Sequence, residues 1–193
     1  DRVFEFYYQE NLFALERAGA HLTFVDSLHD SELPPNISGL YIGGGFPEVF
    51  AQELQANRPL RESIKAAIEN GMPCCAECGG LMYLAKTLIV DGVAYDMVGA
   101  LDMDIEMFSK RQGHGYSEIV VQDTHPWLAP GTTLICHEHH HSRAIRIGDS
   151  VAFSYANTRG KGIADHMDGA CINNTVAGYA HSNAIASPDW APG

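Results

Sequence analysis

Residues 72–84, Met-Pro-Cys-Cys-Ala-Glu-Cys-Gly-Gly-Leu-Met-Tyr-Leu, constrain this chain more than any other stretch. A short apolar run is broken by Cys78-Gly79-Gly80 and resumes at once with Leu81, Met82 and Leu84, which predicts a strand turning sharply into a helix. The two glycines allow a tight bend. The helix they open directs unpaired N–H groups and its positive dipole end at the Cys78 sulfur. That setting favours a thiolate and makes a nucleophile of it.

The segments before the bend supply the rest of an α/β pattern. Residues 10–18 carry good helix formers and stop at Gly19, and residues 21–25 read as a strand. After the turn-rich residues 30–36, the run Leu40-Tyr41-Ile42 reads as a buried strand delivering the loop Gly43-Gly44-Gly45. A helix follows through Gln55. A second is marked by Asn57 as N-cap, Pro59 in the first turn, an apolar face of Leu60, Ile64, Ala67 and Ile68, and Gly71 past its end. Alternating strands and helices to Leu88 imply a doubly wound parallel sheet with functional loops at the strand C-terminal ends, where Cys78 and the triple glycine both fall. Beyond Leu88, turn signals such as Asp91-Gly92, Pro130-Gly131 and Asn173-Asn174 predict antiparallel hairpins, including residues 133–142 and 170–181.

With 193 residues the chain accommodates one large domain, 1–193. A net charge of −12 without a basic stripe argues against nucleic acid. No apolar segment reaches the length of a membrane span, and no basic-then-apolar leader precedes Glu10, so no membrane role and a cytoplasmic location are expected. Five cysteines, three of them within 74–78, suit reduced thiols better than a disulfide framework. Asp1 reads as the start of a piece excised from a longer polypeptide.

A nucleophilic thiol needs a base and donors for an oxyanion. The Gly79 N–H and the 43–45 loop, Gly44 and Gly45 foremost, are candidate donors, and His181, at the end of a late strand, is the candidate base. Against this stands a buried core thiol, the ordinary fate of cysteine. Cys75-Ala-Glu-Cys78 matches the C-x-x-C redox pattern, but the reactive first cysteine would lie inside the strand and not at the helix start. His137, His139 and His141 alternate onto one strand face, too widely spaced to share one metal ion easily; a polar strand lining a pocket is the favoured reading, and no metal is expected. No P-loop pattern occurs, so ATP is not expected to bind this chain through one.

Several motifs in register carry a family resemblance over nearly the whole chain. These are Phe4-Glu5-Phe6-Tyr7-Tyr8 with Asn11-Leu12, His29-Asp30-Ser31-Glu32-Leu33-Pro34, Gly43-Gly44-Gly45-Phe46-Pro47-Glu48, Ala76-Glu77-Cys78-Gly79-Gly80-Leu81-Met82-Tyr83-Leu84, Gly115-Tyr116, His137-Glu138 with His140 and Ser142, and Tyr179-Ala180-His181. Together they resemble the C-terminal glutamine amidotransferase domain of the cobyrinic acid a,c-diamide synthases. The resemblance implies a class I glutamine amidotransferase fold, a flavodoxin-like three-layer sandwich with a mostly parallel central sheet and added antiparallel strands. It implies Cys78 as nucleophile, His181 as base and glutamine as substrate. It also implies an N-terminal ATP-binding domain in the same polypeptide, which would hold ATP and Mg2+; none of these cofactors is expected here.

On that resemblance, ammonia from glutamine would amidate the a and c carboxylates of cobyrinic or hydrogenobyrinic acid in cobalamin biosynthesis. A sirohydrochlorin-type tetrapyrrole, a catalytically silent binding domain and a thiol hydrolase of another amide are the alternatives. His137–His141 and Tyr116 would face the macrocycle or the domain interface. The family strand that precedes position 1 would be missing, leaving a strand edge. Ala76 stands where related amidotransferases carry glycine, Cys136 and His139 replace glycine and phenylalanine, and Asn183 occupies the place of the triad glutamate. The site is therefore expected to work as a Cys78–His181 dyad.

Overall fold

The computed structural model describes residues 1–190. Helix α1 (Gln9–Arg17) gives way at Ala18, and Gly19 follows at φ 95°, the left-handed conformation favoured just past a helix end. The expected strand over 21–25 does not form. Phe24 there is 79% exposed, and a strand needs a neighbour to pair with, which these residues lack.

Strand β1 (Leu40–Ile42) lies beside β2 (Cys74–Glu77) in parallel, Leu40 opposite Cys74 and Ile42 opposite Ala76. Between them run α2 (Ala51–Ala56) and α3 (Arg58–Glu69). The Asn57 side chain accepts the Leu60 N–H and Pro59 sits in the first turn, so α3 starts where its signals put it. Its face Leu60, Ile64 and Ile68 is buried. Helix α4 (Gly79–Leu84) follows β2 without a connecting residue beyond Cys78 and gives way directly to β3 (Ala85–Val90).

Strand β3 belongs to a second, four-stranded sheet with β4 (Val93–Asp96), β5 (Leu101–Met107) and β8 (Ser142–Ile147), in the order β4-β3-β5-β8. The main sheet gains β6 (Gly113–Val121), β7 (Thr133–His140), β9 (Ala152–Arg159), β10 (Met167–Ile172), β11 (Thr175–Gly178) and β12 (His181–Ser182). Its order is β1-β2-β11-β10-β9-β6-β7-β12. Only β1·β2 and β2·β11 are parallel neighbours in it, so the main sheet is mixed and not mostly parallel. The hairpins of the second half of the chain outnumber the crossovers of the first. Strand β1 forms one edge among the described residues.

One core joins these layers. Leu60 and Ile68 from α3, Leu81 and Leu84 from α4, Leu88 from β3, and Leu101 and Ile105 from β5 pack with Ala76 and Ala177 of the main sheet. Full burial of each large side chain contributes about 1.5–3 kcal/mol, which anchors α4 and holds the bend before it.

Candidate active site

Cys78 sits between β2 and α4 with φ 49° and ψ −95°, a conformation few non-glycine residues adopt. Its N–H donates to Gly178 O at 2.7 Å, tying the bend to the end of β11. The thiol donates to His139 O at 3.7 Å. Gly80 must lack a side chain, because a Cβ there would run into the Ile42 carbonyl.

The same register delivers the candidate base. Gly178 lies opposite Glu77, and three residues later His181 begins β12, paired with His137 of β7. Buried Asp168 clamps the approach, accepting the Tyr179 N–H at 3.0 Å and the Ala180 N–H at 2.9 Å. Asn11, fully buried in α1, donates to Ser182 O and accepts the Ala184 N–H, each at 2.8 Å. The Phe6 ring meets the imidazole edge-on at 4.9 Å. Burial pulls the His181 pKa down, but the neighbouring Cys78 and Glu77 outweigh it and raise it to about 10.

Glu77, the residue before Cys78, is the group sequence reasoning missed. Its Oε2 lies 3.6 Å from His181 Nδ1 and accepts from the Tyr41 hydroxyl at 3.0 Å, while Oε1 accepts the Ser182 N–H at 3.0 Å. The available signal was a carboxylate closing an otherwise apolar strand; in the fold it is 3% exposed. Asn183, where the triad glutamate was sought, instead accepts the Ile185 and Ala186 N–H groups and shapes the next turn.

The glycine loops converge as the sequence suggested, with different parts. A Cβ on Gly79 would sit 2.8 Å from Gly45 N, so these two backbones lie side by side at the sulfur's end of α4. The Gly44 N–H is engaged with Phe6 O at 3.1 Å, which removes Gly44 as an oxyanion donor. Gly44 matters for space instead: a Cβ there would stand 2.6 Å from His181 Cε1.

Cys78, His181 and Gly45 open into a cavity of about 630 Å³, with Glu5, Glu48 and Phe46 also on its walls. Burial pushes the Glu48 carboxyl up. His137, His139 and His141 line it too, but ring centroids 6.4 and 6.0 Å apart give no shared focus, and no metal-holding group of His, Cys, Asp and Glu occurs among the described residues. His140 also lines the cavity but is 4% exposed, stacked on Tyr179 at 3.6 Å with Nδ1 2.8 Å from Ser142 O. All five cysteines are free thiols; burial, and after it the Glu77 charge, holds Cys75 well above an ordinary thiol pKa, unlike a C-x-x-C nucleophile. No described helix is long and apolar enough to cross a membrane.

Residues 1–188 match the CobB/CobQ-like glutamine amidotransferase domain. The chain is 44% identical over its whole length to the cobyrinate a,c-diamide synthase of Magnetococcus marinus, and 42% identical over 99% of its length to that of Archaeoglobus fulgidus. It spans 41% of the length of each. Among solved structures, a glutamine amidotransferase superimposes with TM-score 0.64 over 90% of this chain and 84% of that one, at 17% identity. PurLQS from Thermotoga maritima gives 0.62 over 91% and 80%, also at 17%. At that identity the likeness speaks for the fold.

Proposed function

Because the chain belongs to the CobB/CobQ-like glutamine amidotransferase domain family, we propose that it releases ammonia from glutamine through a Cys78 thioester. The observation that carries this reading is the meeting of Cys78, His181 and the Gly45–Gly79 amides at one cavity.

The Cys78 thiolate attacks the glutamine carboxamide carbon, and the new oxyanion takes hydrogen bonds from the Gly45 and Gly79 N–H groups. His181, with its pKa near 10, is an imidazolium at neutral pH and has a proton to give. It passes that proton to the leaving nitrogen; the C–N bond breaks and ammonia departs. Water then adds to the thioester, His181 takes a proton from it, and collapse of the intermediate expels the thiolate and frees glutamate. Glu77, 3.6 Å from Nδ1, favours the charged imidazole and helps orient it. Glu5 and Glu48 at the cavity wall offer acceptors for the ammonium of the amino acid.

The ammonia serves an ATP-binding part of the longer polypeptide, which would hold ATP and Mg2+; the relatives, of whose length this chain spans 41%, support that reading. From the relatives' name, the acceptors are the a and c carboxylates of cobyrinate or its metal-free counterpart, and the setting is cytoplasmic cobalamin biosynthesis. The test is glutamate release from glutamine by the full-length protein and by its Cys78→Ser variant. Turnover abolished by the substitution supports the reading; equal turnover, or none in the unaltered protein, defeats it.

A further inference from the structure

A second concavity, about 340 Å³, lies where Arg111 before β6 meets the turn after β9, with His114, Tyr116, Arg159 and Lys161 on its walls. The chain carries 24 acidic residues against 12 Lys and Arg, yet among the described residues the only carboxylate lining this notch is Glu138. Arg58, Lys65 and Arg146 are engaged in ion pairs, whereas Arg111, Arg159 and Lys161 make none among the described residues. Three cations outside any ion pair, with Glu118 opposite Arg159 across the strands, gather on an acidic protein and focus a local positive potential.

The notch is built, not incidental. Glu138, 2% exposed, accepts the Lys161 N–H at 2.7 Å and the Gly162 N–H at 3.1 Å, so its charge is engaged in holding the turn that presents Arg159 and Lys161. Gly160 in that turn has φ 117°, and a Cβ there would meet the Ser117 side chain at 2.8 Å. Beneath it, Ser117 Oγ and both polar atoms of Asn157 are buried without a protein partner. The His114 ring stands 5.1 Å from His139 and 6.1 Å from His137, both of which line the Cys78 cavity, so the two concavities adjoin.

We propose that this notch is a carboxylate subsite, in which Arg111, Arg159 and Lys161 hold side-chain carboxylates of the amidation acceptor beside the glutaminase centre. The guanidinium fork matches a carboxylate in two parallel hydrogen bonds, and a second cation suits an acceptor carrying several carboxylates. The assignment rests on the acceptor reading given above.

The test uses the full-length protein and equilibrium titration with cobyrinate, alongside its methyl ester, which keeps the ring and removes the charges. Arg159→Gln/Lys161→Gln keeps the backbone N–H that Glu138 needs; unchanged dichroism and melting midpoint verify its fold. Cobyrinate affinity is expected to fall about a hundredfold in this variant, the loss of two charge-assisted contacts, and less than about twofold in the charge-matched control Arg58→Gln/Lys65→Gln. In the unaltered protein, raising KCl from about 0.1 to about 0.5 M weakens cobyrinate binding and leaves the ester unaffected, a readout that needs no variant. Equal affinity in the notch variant, equal binding of ester and acid, or no cobyrinate binding at all overturns the subsite. Weakened contact with the rest of the polypeptide at unchanged cobyrinate affinity also overturns it, and marks a docking surface for an acidic segment. Absent glutamate release from glutamine, measured in parallel, instead defeats the glutaminase reading, so the two fail separately.

Discussion

The Glu77 carboxylate and the His181 imidazole, far apart in the chain, lie 3.6 Å from each other in the folded protein, with Glu77 preceding Cys78 by one residue. Cys78 and Glu77 thus leave the same strand end, and His181, the proposed base, arrives on β12. Removing the charge of Glu77 while keeping its shape tests this relationship. In Glu77→Gln, kcat/KM for glutamine hydrolysis should fall about tenfold to a hundredfold, within the range a positioned proton-transfer partner provides. Because Glu77 helps raise the His181 pKa, the alkaline limb of the rate profile should move to lower pH. An unchanged limb would place Glu77 in a purely structural role.

Gly44 makes room for the His181 ring. Gly44→Ala puts a methyl group 2.6 Å from the present position of His181 Cε1, without a backbone penalty, since Gly44 is not in the left-handed region. Displacing the ring by about 1 Å is expected to cost about a hundredfold in glutamine turnover with a near-normal melting midpoint. Steady-state kinetics beside a thermal melt separates loss of alignment from loss of fold.

Asp168 holds the backbone that carries His181. In Asp168→Ala the Tyr179 and Ala180 N–H groups lose both acceptors in a buried setting, which should cost about 2–4 kcal/mol of stability. Urea unfolding measures the loss. A change under about 0.5 kcal/mol would mean that water replaces the clamp.

The legible and illegible parts of the chain divide along a physical line. The bend at Cys78, the glycine loop after β1 and the N-cap and apolar face of α3 depend on neighbours in sequence, and the chain announced each of them. Contacts set by strand register were silent: Glu77 reaches His181 only because β11 lies parallel to β2, and Gly44 loses its donor only because Phe6 pairs back onto it. Residues 21–25 have the composition of a strand and no partner. The proportion of parallel pairing was misjudged for the same reason, since hairpin signals reveal that strands exist but not which sheet receives them.

A pH effect on stability follows from His125. Its Nδ1 accepts the Trp127 and Leu128 N–H groups and its Nε2 lies 3.0 Å from the Tyr155 hydroxyl, an arrangement that needs the neutral ring. Burial lowers its pKa to about 4. The unfolded chain therefore binds the proton first: the stabilisation is complete above about pH 6.5 and declines progressively as pH falls towards 4, by up to about 1.4 kcal/mol per pH unit. Denaturation of the unaltered protein and of His125→Gln between pH 7.5 and 4.5 should show a steeper acid decline in the former. Parallel declines would remove His125 from the account.

The central claim is that Cys78, activated beside His181, is the sulfur that attacks glutamine. A diazo-ketone analogue of glutamine, applied to the full-length protein and mapped by peptide mass spectrometry, measures this directly. Alkylation confined to Cys78, suppressed by excess glutamine and slowed in His181→Asn, is the predicted result. Label distributed over Cys171 and the other thiols, or a Cys78 rate indifferent to glutamine and to His181, would contradict it.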